Sequence, residues 1–103
     1  MPRDTQLELR VITYREDEVW LAHCLELDIV AEGKSAKKAV NDLVDLCLLQ
    51  IKTAIEENDL ESIIRPAPAE FWKLFFSAKK KKRIKPAERN LVKEIDEREL
   101  ELV

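Results

Sequence analysis

Apolar and polar positions alternate over residues 6–14, QLELRVITY: Leu7, Leu9 and Val11 share one face, Glu8 and Arg10 the other. That period of two predicts a strand with one buried face. A polar turn is expected at Arg15–Glu18. Residues 19–25, VWLAHCL, are apolar on both faces, with Val19, Leu21, His23 and Leu25 on one and Trp20, Ala22 and Cys24 on the other. Such a strand is covered on both sides, either centrally in a sheet or at an oligomer contact. A short reversal at ELD leads to a third strand, IVAE at 29–32. These short connections predict an antiparallel meander.

From Ala36 to about Asn58 the apolar spacing lengthens to that of a helix, with Ser35 placed to cap it. Ala36, Ala39, Val40, Leu43, Val44, Cys47, Ile51, Ala54 and Ile55 form one stripe. Leu46, Leu48 and Leu49 widen it beyond what one sheet layer can cover, which predicts that the helix also meets a second subunit. After a break at EENDL, RPAPAEFWKLFF predicts a short helix over 68–78 with Pro68 in its first turn. Phe71, Trp72, Phe75 and Phe76 are concentrated there, to anchor the helix in the core or to form a contact patch for a partner. KKKKRIK at 79–85 repels itself and reads as an exposed, mobile connector. Over NLVKEIDERELELV local propensity favours helix, while the RELEL alternation favours a strand with Leu100 and Leu102 inward; the strand is the expectation. The fold class is therefore α+β, a β-β-β-α-β-like core with a second helix. It divides into a domain over 1–78 and a basic connector with a C-terminal strand or tail over 79–103.

Composition changes this picture little. The 103 residues are 46% hydrophobic and 38% charged with a net charge of −3, which suits one small domain without a general attraction to nucleic acid or anionic membrane. Cys24 and Cys47 sit in regular apolar segments and read as buried free thiols of a reducing cytosol. The charged start of the chain and the lack of a long apolar run predict a soluble, cytoplasmic protein without a secretory signal.

Candidate chemistry is sparse. One histidine and two cysteines are too few for a structural zinc site. His23 and Cys24 are adjacent on a strand, so they point to opposite sides and cannot form a dyad. Glu26 and Asp28, two apart, could share a face and serve a metal-dependent nuclease, although acidic residues at strand ends are normally only solvated. Lys37 and Lys38 at a helix start read as solvated surface. Lys79, Lys80, Lys81, Lys82, Arg83 and Lys85 could contact nucleic acid through phosphates, without interleaved aromatics for base stacking. Too few residues follow the block for a separate DNA-binding module. No cofactor or metal is expected.

The segment VWLAHCLELDIVAEGKSAKKAVNDLVDLCLLQI resembles the HicB-like antitoxin family. The tryptophan strand Val19–Leu25, the acidic-apolar LELD, the VAEGKS turn and Ala39 at the opening of the amphipathic helix carry the likeness. It covers residues 7–55 and, more loosely, RPAPAEFW within 65–76. The resemblance implies a partial RNase H-like domain without nuclease activity that pairs with a small RNA-cleaving toxin and often self-associates. The chain departs from the family at Lys37 and Lys38, where acidic residues are usual, and in showing no separate DNA-binding domain. The expected function is a non-enzymatic interaction domain that forms a homodimer or larger homo-oligomer and binds a toxin. Its contacts are expected through the long helix (Leu46, Leu49), Trp20 and the aromatic cluster. The alternatives are a degenerate RNase H-like nuclease using Glu26 and Asp28, and an RNA-binding accessory protein using the lysine block.

Overall fold

The computed structural model describes residues 7–85 and 91–100. Its fold is α+β. Three strands, β1 (Leu7–Glu16), β2 (Val19–Cys24) and β3 (Ile29–Gly33), form the antiparallel meander. A long helix, α1 (Ala36–Glu56), follows, then a 3-10 turn at Leu60–Ile63 and a short helix, α2 (Ala69–Ser77). Strands β4 (Lys80–Ile84) and β5 (Val92–Glu99) complete a five-stranded mixed sheet in the order β3-β2-β1-β5-β4. β5 runs parallel to β1 and antiparallel to β4.

The first hairpin is tighter than its polar sequence suggests. Arg15 and Glu16 stay in β1, opposite Trp20 and Val19, and only Asp17 and Glu18 turn. Asp17 takes the left-handed conformation (φ 57°) that such a turn requires, which aspartate tolerates better than most residues. β2 ends at Cys24, one residue earlier than its apolar run, and Leu25 is buried within the following turn.

Each face of the sheet has its own helix. α1 covers one face, where Leu43, Cys47 and Ile51 pack with Leu9, Val11, Ala22, Cys24 and Ile95. Fully burying a side chain of leucine size contributes about 1.5–3 kcal/mol, so this layer dominates the stability. α2 lies on the other face, where Phe75 packs with Ile12, Leu25 and Ala67. Ser35 caps α1 as expected, its hydroxyl accepting the Lys38 amide at 3.1 Å. Pro68 occupies the cap position of α2 rather than its first turn, and the indole Nε1 of Trp72 donates to the Ala67 carbonyl at 3.0 Å.

Gly33 closes β3 under the start of α1. A β-carbon there would lie 2.8 Å from the Ala39 backbone nitrogen, closer than real contacts allow. Glycine is needed for close approach of backbone to backbone, with no positive φ involved. Gly33→Ala is expected to destabilise the fold by about 1–3 kcal/mol as α1 lifts from the sheet. Urea denaturation checks this; an unchanged midpoint would contradict the contact.

The lysine block is not a connector. Residues 80–84 form edge strand β4, because acidic β5 lies alongside. Lys80 pairs with Glu99 at 3.4 Å, Arg83 forms an ion pair with Glu94, and Lys82 is registered opposite Glu97. Opposite charges across strands offset the self-repulsion that an isolated block would suffer. Strands β4 and β5 are thus integral to the sheet, and β5 adjoins β1 in its interior. Val92 and Ile95 are its inward residues; Leu100 lies just past the strand, packed against the α2 cluster. Leu102 lies outside the described residues.

Candidate functional site

The two carboxylates singled out in the sequence sit in the turn between β2 and β3, each with a separate partner. Glu26 accepts the Arg10 backbone N–H through Oε1 and Arg10 Nη1 through Oε2, both at 2.7 Å. Its carbonyl accepts the Arg65 amide at 3.0 Å, and the Leu25 carbonyl accepts the Ala67 amide at 2.8 Å, which ties the turn to the segment before α2. Burial pushes the Glu26 carboxyl above its ordinary pKa, against the pull of the Arg10 bonds. Asp28, left-handed at φ 53°, holds His23 instead, with Nε2 and Oδ1 2.6 Å apart. A carboxylate can only accept, so Nε2 carries the proton. Among the described residues, no group of three or more His, Cys, Asp or Glu side chains is placed to hold a metal ion.

His23 is buried with its ring edge-on to Phe71, centroids 4.7 Å apart, and its Nδ1 has no hydrogen-bond partner among the described residues. Cys24 points to the opposite side, into the α1 layer. There it meets Cys47, whose thiol is pushed up strongly by the hydrogen bond to Cys24 and by burial. Both cysteines are free and buried. The sheet therefore separates His23 from both thiols.

The proposed contact residues divide between core and surface. Phe75 is fully buried, Phe71 and Trp72 are half-buried against the same layer, and Trp20 is half-buried in the α1 layer. These four serve the fold. The aromatic residue presented to solvent is Phe76, 66% exposed, with Leu74 nearby on α2. Leu74 also lines an open groove of about 240 Å³ with Ala78, Lys80, Glu99 and Leu100. On α1, Leu49 is 62% exposed and Leu46 also faces water, while Leu48 is half-buried.

All six cations of the lysine block are exposed, along the edge of the sheet. Lys80 and Arg83 are spent on β5 carboxylates, and Lys82 offsets part of the buried charge of Glu97. Burial raises the Glu97 pKa; Lys82 and a 3.4 Å hydrogen bond from Thr13 Oγ1 lower it, and Glu99 adds to the rise. Lys37 is exposed, and Lys38 pairs with Asp42 one turn along α1 at 2.9 Å.

The pairings Arg10–Glu26, His23–Asp28 and Thr13–Glu97 were missed in the sequence. Arg10 and Glu26 are sixteen positions apart and Thr13 and Glu97 eighty-four. The signal that could have found the β4–β5 pairing is the complementarity of KKKKRIK with KEIDERE. No family model matches the chain, and no match is found among curated proteins or solved structures. Among the described residues, no helix is long and apolar enough to cross a membrane.

Proposed function

We propose that the chain is a non-enzymatic interaction domain of the HicB-like kind, which self-associates and binds a small partner protein. The resemblance in residues 19–51 implies a ribonuclease toxin as that partner, met in the cytoplasm. The observation that carries the reading is the exposure of Leu49 and Phe76, at 62% and 66%, on helices covering opposite faces of the sheet. Large apolar side chains in such positions contribute nothing to the core of one chain and much to an interface that dries them. Glu26 and Asp28 each hold a different partner of the same chain, Arg10 and His23, which leaves the nuclease alternative without a shared open site. The RNA-binding alternative is weakened by the β5 carboxylates that already neutralise part of the lysine block.

The test is co-expression with the product of a short basic reading frame beside the gene. Co-purification and relief of that product's RNA cleavage are expected. Leu49→Asp or Phe76→Asp should weaken binding by about 30-fold or more if either is a hot spot, while leaving the fold intact. Full binding by both variants would reject these surfaces. RNA cleavage unaffected by the chain would reject the antitoxin role.

A further inference from the structure

Among the described residues, the two edges of the sheet, β4 and β3, are uncovered and of opposite character. β4 is guarded: Lys80, Lys81, Lys82 and Arg83 line it, as in natural edge strands that must not pair with another chain. β3 is not. Its sequence, Ile29-Val30-Ala31-Glu32-Gly33, contains no lysine and no proline, and it pairs with β2 over all five residues without a register shift. On the face that α2 leaves open at this end, Val30 and Val19 are 49% and 37% exposed, with half-buried Leu21 between them.

Hydrogen-bond parity shows what this edge offers. The Leu25 amide donates to the Arg10 carbonyl at 2.9 Å, so alternate residues of β2 from Leu25 back to Val19 aim their backbone groups at β1. Trp20, Ala22 and Cys24 then aim at β3, where their registered partners are Gly33, Ala31 and Ile29. The amides and carbonyls of Val30 and Glu32 are left pointing outward.

We infer that β3 pairs antiparallel with β3 of a second copy of this chain, with Ala31 opposite Ala31, joining the two sheets across a two-fold axis. This rests on the self-association within the proposed function and is independent of any toxin. Charge selects the register. With Ala31 at the axis, Val30 bonds Glu32 of the second copy, and Asp28 at each end lies beside Lys34 of the other. A shift centred on Val30 would set Glu32 against Asp28, and one centred on Glu32 would set Glu32 against itself. Both shifts juxtapose like charges, which destabilises strand pairs. The β4 edge cannot substitute, because pairing it with itself would oppose Lys81 and Arg83 to cations.

Sedimentation equilibrium of the full chain from micromolar to millimolar concentration tests the inference. The native chain is expected to show a monomer–dimer equilibrium. Val30→Glu should raise the dissociation constant about tenfold or more by setting a carboxylate opposite Glu32 of the second copy at both ends of the seam. Lys34→Glu should raise it comparably only in the register centred on Ala31, where it sets a carboxylate opposite Asp28. Both positions are exposed, so circular dichroism should show the fold unchanged. Leu49→Asp should leave the equilibrium untouched, so failure here and failure of the partner reading are separate results. A strict monomer at every concentration overturns the inference. So does a dimer that survives Val30→Glu, or one that is lost in Leu49→Asp instead.

Discussion

Phe75→Ala is expected to lower the unfolding free energy by about 3–5 kcal/mol, the usual cost of emptying a buried aromatic position. Phe75 is 1% exposed and is the hub through which α2 reaches the sheet. Its ring packs on Ile12, Leu25 and Ala67 and meets the edge of Phe76 at 5.3 Å. The Arg98 guanidinium lies 4.2 Å from the ring centroid, and Arg98 Nη1 donates to the Phe75 carbonyl at 3.2 Å, satisfying an acceptor in the last turn of α2. Truncation therefore opens a void and loosens the contact between α2 and β5 together. Domains of this size hold about 5–15 kcal/mol in total, so the variant should melt lower by roughly 12 °C or more. Phe76→Ala, one residue along and facing water, should change stability by less than about 0.5 kcal/mol. Thermal melts of the pair decide the matter: equal losses would mean that α2 does not dock through Phe75.

The contrast between those neighbours marks how far the sequence could be read. The aromatic cluster was visible as a cluster, but its division into core and surface depends on where α2 lands, and no local pattern encodes that. β1, β2, β3 and α1 were legible because each carries its own periodicity and α1 its own cap at Ser35. Strand alternation also put His23 and Cys24 on opposite sides, as the structure has them. The block at 79–85 misled because self-repulsion is a property of the isolated segment. As β4 it lies beside a strand whose carboxylates answer its cations. The placement of β5 between β1 and β4 is a non-local pairing, set by burial of Val92 and Ile95 rather than by any nearby signal. The candidate site was legible in its residues and not in its bonds. Glu26 and Asp28 were visible as a pair of acids, whereas their separate commitments to Arg10 and His23 required the fold.

Arg10→Ala should reveal what Glu26 is for. Breaking a wholly buried ion pair by removing one partner costs about 3–5 kcal/mol, chiefly because a desolvated charge is left behind. Here the side chain of Glu26 is 16% exposed and that of Arg10 37%, so water screens part of the interaction and about 2 kcal/mol is expected. The residue-10 amide still donates to Oε1, and the cation–π contact of Arg10 with Trp72, at 5.7 Å, adds little to the loss. The pH dependence distinguishes this cause from lost packing. Burial already holds the folded pKa of Glu26 above its ordinary 4.5, and removing the guanidinium raises it further. A carboxyl with a raised folded pKa binds its proton more tightly in the folded state. Its favourable contribution is full below the unfolded value and is lost as pH rises through the folded one. The deficit of Arg10→Ala should therefore be largest near neutral pH and shrink as the pH falls toward 4.5. Adding Glu26→Gln should flatten that dependence and recover part of the stability, since a neutral amide can still accept the residue-10 amide. Urea titrations across this pH range measure both effects. A deficit that does not vary with pH would assign Arg10 a packing role and Glu26 none in charge balance.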